Sequence, residues 1–442
     1  MKNILVIGAG RSASSLIKYL LDQSVENDFF VKIADRDITL AKSKIEGHDR
    51  GEAISFDVFD DSEREKALRE ASIVVSMLPA RMHYTVAKDC VRLGKPMVTA
   101  SYVSKEIAAL HEEADKKGVL LLNEIGLDPG IDHMSAMQLI DQILEKGGTI
   151  SAFKSYCGGL IAPESDNNPW RYKFTWNPRN VVLAGKGVAQ FIQNGRYKYI
   201  PYNKLFSRTD HVQIPSFGDF EAYANRDSLS YRSLYKLEGI PTMYRGTLRR
   251  PGYSHSWNTF VQLGMTDDSY EMADIEEMTY RQYTNSFLSY GEDSVEAKMA
   301  KLLGVSADSE EIKKLAWLGL FEDVKIGLSK ATPAQVLQKL LESKWSLSSV
   351  DKDLIVMQHQ FEYAIDGEER EYHSSLAVVG DDQTFTGMAK TVGLPVGIAT
   401  KLILQGKIKS TGVKIPVEKE IYEPVLKELA SFGITFVEER IR

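Results

Sequence analysis

Asp128 stands in Asn123-Glu124-Ile125-Gly126-Leu127-Asp128-Pro129-Gly130-Ile131-Asp132-His133. The following proline holds its backbone extended, so the carboxylate sits at a turn where it could give or take a proton. The same place also suits an N-cap for a helix opening at Gly130, and position alone favours that plainer role. Tyr102, in Thr99-Ala100-Ser101-Tyr102, offers a phenol as a second proton carrier. Cys157, in Ser155-Tyr156-Cys157-Gly158-Gly159, could lie beside a reacting carbon, with glycines allowing close approach, or could be a buried packing thiol. Arg171-Tyr172-Lys173, Asn225-Arg226-Asp227-Ser228 and Arg245-Gly246-Thr247-Leu248-Arg249 carry basic groups. Arginine forks bind carboxylates two-pronged, so several in one region suit a substrate with several carboxylates, although a single arginine is more often a surface or ion-paired group. None of the eight histidines shows metal-ligand spacing, and no metal is expected.

The elements that must position these groups begin at the first residues. Ile4-Leu5-Val6-Ile7 runs into Gly8-Ala9-Gly10-Arg11-Ser12-Ala13, a strand followed by G-x-G-x-x-A and a helical pattern. This is the dinucleotide-binding fingerprint: Gly8 for the tight turn, Gly10 for close approach to a pyrophosphate, Ala13 for packing. Phosphates would meet the N–H groups at the helix start, around Arg11 and Ser12. A second apolar strand, Phe29 to Ala34, ends at Asp35, 25 residues past Gly10 and near the ~20 expected for the ribose ligand. An acid there accepts from a ribose 2′-OH and repels a 2′-phosphate, so Asp35 favours NAD over NADP. Arg36 is the countervailing group, since it could pair with that phosphate.

With 442 residues the chain has room for two or three domains and a large core. A net charge of −7 argues against nucleic acid. No run approaches ~20 apolar residues, so no membrane span is expected. Two cysteines, Cys90 and Cys157, make no disulfide framework. These features fit a cytoplasmic enzyme.

Residues 1 to about 125 alternate apolar runs with helical patterns, which predicts a doubly wound parallel sheet of Rossmann type. Ligands bind beyond the carboxyl ends of such strands, and that rim predicts Gly8, Asp35, Asp57, Leu78, Ser101, Tyr102 and Glu124 as contacts. The domains are read as 1–128 (dinucleotide-binding), 129–386 (α+β, substrate binding and dimerisation) and 387–442 (returning to the first domain). Val181 to Ala184 reads as strand and Met272 to Leu288 as helix. Gly387 to Leu404 reads as a helix broken at Gly393-Leu394-Pro395, and Ile434 to Val437 as a strand that could rejoin the first sheet.

Together with Ala162-Pro163-Glu164-Ser165, the motifs quoted above resemble saccharopine dehydrogenases of the glutamate-forming type, essentially from end to end. The resemblance implies a Rossmann domain completed by the C-terminal segment and a central substrate and dimerisation domain in a homodimer. It implies reversible NAD(P)-dependent oxidation of saccharopine to L-glutamate and α-aminoadipate semialdehyde, a step of lysine metabolism. Carried over, it places Ser101, Tyr102, Asp128, Arg226, Arg245, Gly246 and Thr247 around the substrate and Cys157 by the reacting carbon; Lys173 is a further candidate, beside Arg226 and Arg245, for holding a substrate carboxylate. Fungal NADP-dependent members have a small residue where this chain has Asp35, which supports NAD here. The extra reductase domain of the bifunctional animal and plant enzymes is missing, which implies one reaction. Two other readings stay open: a sister dehydrogenase joining an amine and an aldehyde, such as a carboxynorspermidine synthase, and a non-catalytic NAD-binding protein. The arginine motifs argue against the first, and the intact glycines and Asp128 against the second.

Overall fold

Buried apolar runs and capped helices assemble the chain into two units in a computed structural model that describes residues 1–442. The first unit comprises Met1–Ile150, Leu234–Glu238 and Phe361–Arg442; the second comprises Ser151–Ser233 and Gly239–Gln360.

In the first unit the strands are β1 (Lys2–Ile7), β2 (Phe29–Asp35), β3 (Gly51–Ser55), β4 (Ile73–Ser76), β5 (Met97–Val98) and β6 (Leu120–Leu122). They pair in parallel in the order β3-β2-β1-β4-β5-β6, and the late strand Gly412–Lys414 adds to β6. The direction of winding reverses between β1 and β4, so the ligand crevice of this sheet lies there. Helices α1 (Ser14–Asp22), α2 (Ile38–Ile45), α3 (Asp61–Glu70) and α4 (His83–Leu93) follow the strands. Their starts are chemically specified in two cases: Asp37 and Asp60 each accept two N–H groups of the first turn.

The segment Gly387–Leu404 is one continuous helix, not a broken one. A proline inside a helix removes one hydrogen bond and crowds the carbonyl four residues back, at about 3 kcal/mol. Burial of Leu394, Val396, Ile398, Ala399 and Leu402 offsets that cost. Gly393 and Gly397 are the contact points with α1: an added Cβ would come within 2.8 Å of the Leu16 nitrogen and 2.7 Å of the Tyr19 ring. The final strand also departs from expectation. It is Val437–Arg440 and pairs antiparallel with Glu368–Val379 (Tyr372 opposite Arg440), while Gly412–Lys414 is the segment that joins the parallel sheet.

The second unit is built on most of β7 (Thr149–Ile161), β8 (Val188–Gln193), β9 (Arg196–Pro201), β10 (Thr209–Ile214), β11 (Gly218–Ala224), β12 (Thr242–Arg249) and most of β13 (Asp353–Ile365), whose outer ends fall in the first unit. The order is β10-β11-β12-β7-β13, with β8 and β9 as a hairpin beside β12. Strands β7 and β12 are parallel, with Arg245 opposite Ser155 and Thr247 opposite Cys157. Helices Tyr253–Leu263 and Pro333–Trp345 contribute to an aromatic core of Trp170, Tyr172, Phe174, Trp257, Phe260 and Trp345. Val181 and Val182 lie in a short helix, Pro178–Val182, rather than a strand. The Asn177 side chain caps it and Pro178 occupies its first turn, which outweighs the strand preference of two valines. Of Met272 to Leu288 only Tyr280–Ser286 is helical; Thr279 and Gln282 form a capping box that starts it there.

Candidate active site

The glycine turn after β1 shows two different reasons for glycine. Gly8 has φ +105° and an added Cβ would meet the Met77 carbonyl oxygen at 2.8 Å, so the fold itself demands it. Gly10 has an ordinary backbone, φ −62° and ψ −179°, and open space where a Cβ would stand. Nothing in the protein requires glycine there; the space fits the close approach of a dinucleotide pyrophosphate, which the N–H groups of Arg11, Ser12 and Ala13 would hold. Ala13 is buried, and Gly393 packs beside it against Ser12 and Leu16.

Asp35 ends β2 and ties the turn down. One carboxylate oxygen accepts from the Ala9 N–H at 2.7 Å and the other from the Asp37 N–H at 2.9 Å. Arg36 points to solvent and pairs with Asp57 at 2.9 Å. The Phe59 N–H and then Arg36 hold the Asp57 carboxyl below the usual carboxylate range. Leu78 is half-buried just beyond β4.

Beyond β5 the rim is fastened to the loop that carries Asp128. The Ser101 carbonyl accepts from the Glu124 N–H at 3.0 Å, and Glu124 Oε1 accepts from the Val103 N–H at 3.0 Å. The Tyr102 hydroxyl lies 3.4 Å from Asp128 Oδ1. Asp128 is not the helix N-cap: Gly130 holds that place without a side-chain cap, and Asp132 accepts the Gly130 N–H at 2.6 Å. The carboxylate of Asp128 therefore sits beside a phenol on the rim rather than at the helix start, an arrangement suited to proton transfer. Glu124, in the left-handed region at φ +55°, is buried and bonds His133 Nε2 at 2.9 Å. His133 in turn meets the Tyr235 hydroxyl. Sequence reasoning placed Glu124 on the rim but missed His133 as its buried partner, and it missed His83, whose two ring nitrogens bond Ser76 and Ser101.

In the second unit Cys157 is buried in β7. Its neighbour Gly158 serves strand packing rather than ligand approach, since an added Cβ would strike the Leu248 carbonyl oxygen at 2.7 Å. Gly246 is likewise filled by protein, with the Tyr156 and Tyr244 rings each 2.9 Å from an added Cβ. Arg245 is buried, and its guanidinium lies 4.6 Å from the centre of the Tyr231 ring. Its amide is held by Ser228 Oγ, and its carbonyl by the Asn225 N–H. Arg226 is exposed, with φ +47°, and its carbonyl accepts from Gln190. Thr247 stands opposite Cys157 in the β7–β12 ladder.

Lys173 departs from its expected role. It is buried and paired with Asp351 at 2.7 Å, so its charge is compensated inside the protein, which argues against a clamp for a substrate carboxylate. Burial raises the Asp351 carboxyl, but Lys173 and the Ser348 hydrogen bonds outweigh that and hold it low. Arg249 keeps a different company: its guanidinium lies within 5.1 to 5.7 Å of the Tyr172, Tyr253 and Tyr223 ring centres, and it donates to the Leu248 carbonyl.

A parallel sheet with a glycine turn, a tethered acid at the end of β2 and a tyrosine–aspartate pair on its rim is the architecture of an oxidoreductase that uses a nicotinamide cofactor. Residues 4–122 match the family model described as the saccharopine dehydrogenase NADP binding domain, and residues 126–434 match the saccharopine dehydrogenase C-terminal domain. The chain belongs to the saccharopine dehydrogenase family. It is 35% identical over its whole length to the Saccharomyces cerevisiae saccharopine dehydrogenase [NADP(+), L-glutamate-forming], covering 99% of that protein. Against the Schizosaccharomyces pombe enzyme of the same name the identity is 34%, with 99% of that chain covered. It also matches 44% of the Arabidopsis thaliana alpha-aminoadipic semialdehyde synthase, at 33% identity. Among solved structures, the apo saccharopine dehydrogenase (L-Glu forming) from Saccharomyces cerevisiae superposes with a TM-score of 0.90 at 33% identity, covering 100% of both chains.

Proposed function

We propose that this chain catalyses the reversible, nicotinamide-dependent oxidation of saccharopine to L-glutamate and α-aminoadipate semialdehyde in lysine metabolism. The observation that carries the reading is the full-length likeness to glutamate-forming saccharopine dehydrogenases, together with the open cradle at Gly10. Asp35 led to an expectation of NAD. The family model and the relatives' names favour NADP instead, and NADP is the form proposed here. Two backbone N–H groups already engage both Asp35 oxygens, and exposed Arg36 can exchange Asp57 for a 2′-phosphate.

When bound, the nicotinamide supplies hydride acceptance. The chain supplies binding and proton transfer. Saccharopine is a secondary amine with three carboxylates; Arg226 and Arg245 hold carboxylates and fix its pose. Asp128 and Tyr102 serve the protons at the amine nitrogen and at the water that adds to the oxidised carbon before glutamate leaves. Buried Cys157 lines the position of the reacting carbon. The protein is read as a cytoplasmic homodimer, which sedimentation and cell fractionation would test.

The deciding experiment is initial rates at 340 nm with saccharopine and either NADP or NAD. Strong NADPH formation supports both parts of the reading, a strict NAD preference overturns the cofactor assignment alone, and no rate from folded protein that binds NADPH overturns the substrate.

A further inference from the structure

Three side chains make a hydrogen-bonded chain behind the rim of the parallel sheet. Ser76, at the end of β4, lies 2.8 Å from His83 Nδ1, and His83 Nε2 lies 2.7 Å from the Ser101 hydroxyl oxygen. Ser76 and His83 are buried at 0% and 1% exposure, while Ser101 is half-buried at the end of β5. The β4 and β5 ends flank the crevice on the side away from Asp35, where the winding of the sheet places the nicotinamide half of a dinucleotide.

The donors and acceptors in this chain can be assigned from the buried end. The Ser76 hydroxyl has His83 as its partner. A buried O–H left without an acceptor costs a hydrogen bond, so Ser76 donates and Nδ1 accepts. A neutral imidazole carries one proton, which then resides on Nε2 and is donated to Ser101. Ser101 receives that bond on its oxygen, and its own hydrogen is turned outward. We propose that His83 is a positioning residue that commits the Ser101 hydroxyl to donate into the crevice, to a carboxylate of the substrate. Burial of the imidazole pushes its pKa down to about 4, which keeps it neutral at working pH. With the proton on both nitrogens, Ser76 would lose its acceptor.

The substrate part of this inference rests on the saccharopine reading; the proton assignment does not, and the two are tested apart. Selective 15N-histidine NMR of the full chain, with the His83 resonances identified by their loss in His83→Gln, reads the tautomer directly. The expected result is protonated Nε2 and bare Nδ1; a proton on Nδ1, or on both nitrogens at neutral pH, overturns the assignment. In kinetics, Ser101→Ala is expected to raise KM for saccharopine roughly ten- to hundredfold, the range for a hydrogen bond to a charged group, with kcat less affected. His83→Phe is expected to do the same, with no further loss in the Ser101→Ala background. His83→Gln, whose amide can donate to Ser101 and accept from Ser76, is expected to retain most of the activity. NADPH affinity, read by fluorescence, is expected to stay constant throughout. Additive losses, an unchanged KM in Ser101→Ala, or a fall in NADPH affinity in place of the KM effect overturns the positioning role. Absence of turnover with saccharopine in unmodified, NADPH-binding protein removes the substrate carboxylate as the acceptor, while the NMR result still decides the tautomer.

Discussion

The two units hold polar groups ready by opposite means. The parallel-sheet unit works largely with main chain and neutral side chains: an open glycine, N–H groups at a helix start, and a serine set by a histidine. The second unit works with buried cations, and it treats them in two ways. Lys173 is neutralised by Asp351, whereas Arg245 and Arg249 lie against aromatic faces. A carboxylate partner neutralises the cation it stabilises, whereas a ring face stabilises a guanidinium without cancelling its charge. The comparison therefore separates the basic residues of one sheet unit into a neutralised one and two that keep their charge against aromatic faces, which their spacing in the chain does not do.

The largest test of this division is Asp128→Asn. If the rim of the first unit serves chemistry rather than stability, kcat falls by roughly 10²- to 10⁴-fold while thermal unfolding stays within a few degrees. A variant within a few-fold of normal kcat would return Asp128 to a structural role. Lys173→Ala is the opposite case. It leaves Asp351 buried and unpaired, and about 3–5 kcal/mol of stability is expected to go in denaturant titration. The double variant Lys173→Met/Asp351→Leu should recover most of that and keep a near-normal KM for saccharopine; a KM raised tenfold in the stable double variant would restore Lys173 as a clamp.

Acid offers a third test. His83 has a folded-state pKa near 4, below the unfolded value of 6.5, so the unfolded chain binds more protons between those limits. Stability from this group is complete above about pH 6.5 and is lost as pH falls toward 4, by up to about 3 kcal/mol. Urea titrations of the full chain and His83→Gln across that window should separate as pH drops, the histidine chain losing stability that the non-titrating amide keeps; parallel curves would mean that His83 is not held neutral.

The glycine pair gives a smaller but sharper contrast. Gly8→Ala is strained by its positive φ and by Met77, and should lose about 1–3 kcal/mol of stability as well as cofactor. Gly10→Ala should melt normally and bind NADPH at least tenfold more weakly; normal binding would show that the open cradle is not the pyrophosphate site. Smallest of all, Arg36→Ala should weaken NADP more than NAD by a few-fold, consistent with an exposed charge.

Local chemistry made much of the first unit legible. Ile4 to Ile7, the glycine turn and α1 are adjacent in the chain, and each needs only its neighbours to be recognised. Asp35 was legible as the end of a strand, but its engagement of Ala9 depends on two strands lying side by side. His83 carried no signal, because its meaning lies in Ser76, which ends β4, and Ser101, in the loop after the neighbouring strand β5. The ion pair of Lys173 was not legible because its partner lies 178 residues away. Pro395 suggested a break for the same kind of reason: the close fit of Gly393 and Gly397 onto α1 is invisible from composition.

The sequence by itself determined the strand–turn–helix at the start, the parallel sheet that follows it, and the motifs that place the chain in its family. These depend on short-range sterics, capping and apolar periodicity, which are properties of neighbouring residues. Tertiary structure alone decided which glycine the fold demands and which it leaves with open space, which buried cation is neutralised, and which partners a rim serine meets. Each of those outcomes depends on what a side chain meets once water is excluded, and that partner is supplied by a distant part of the chain.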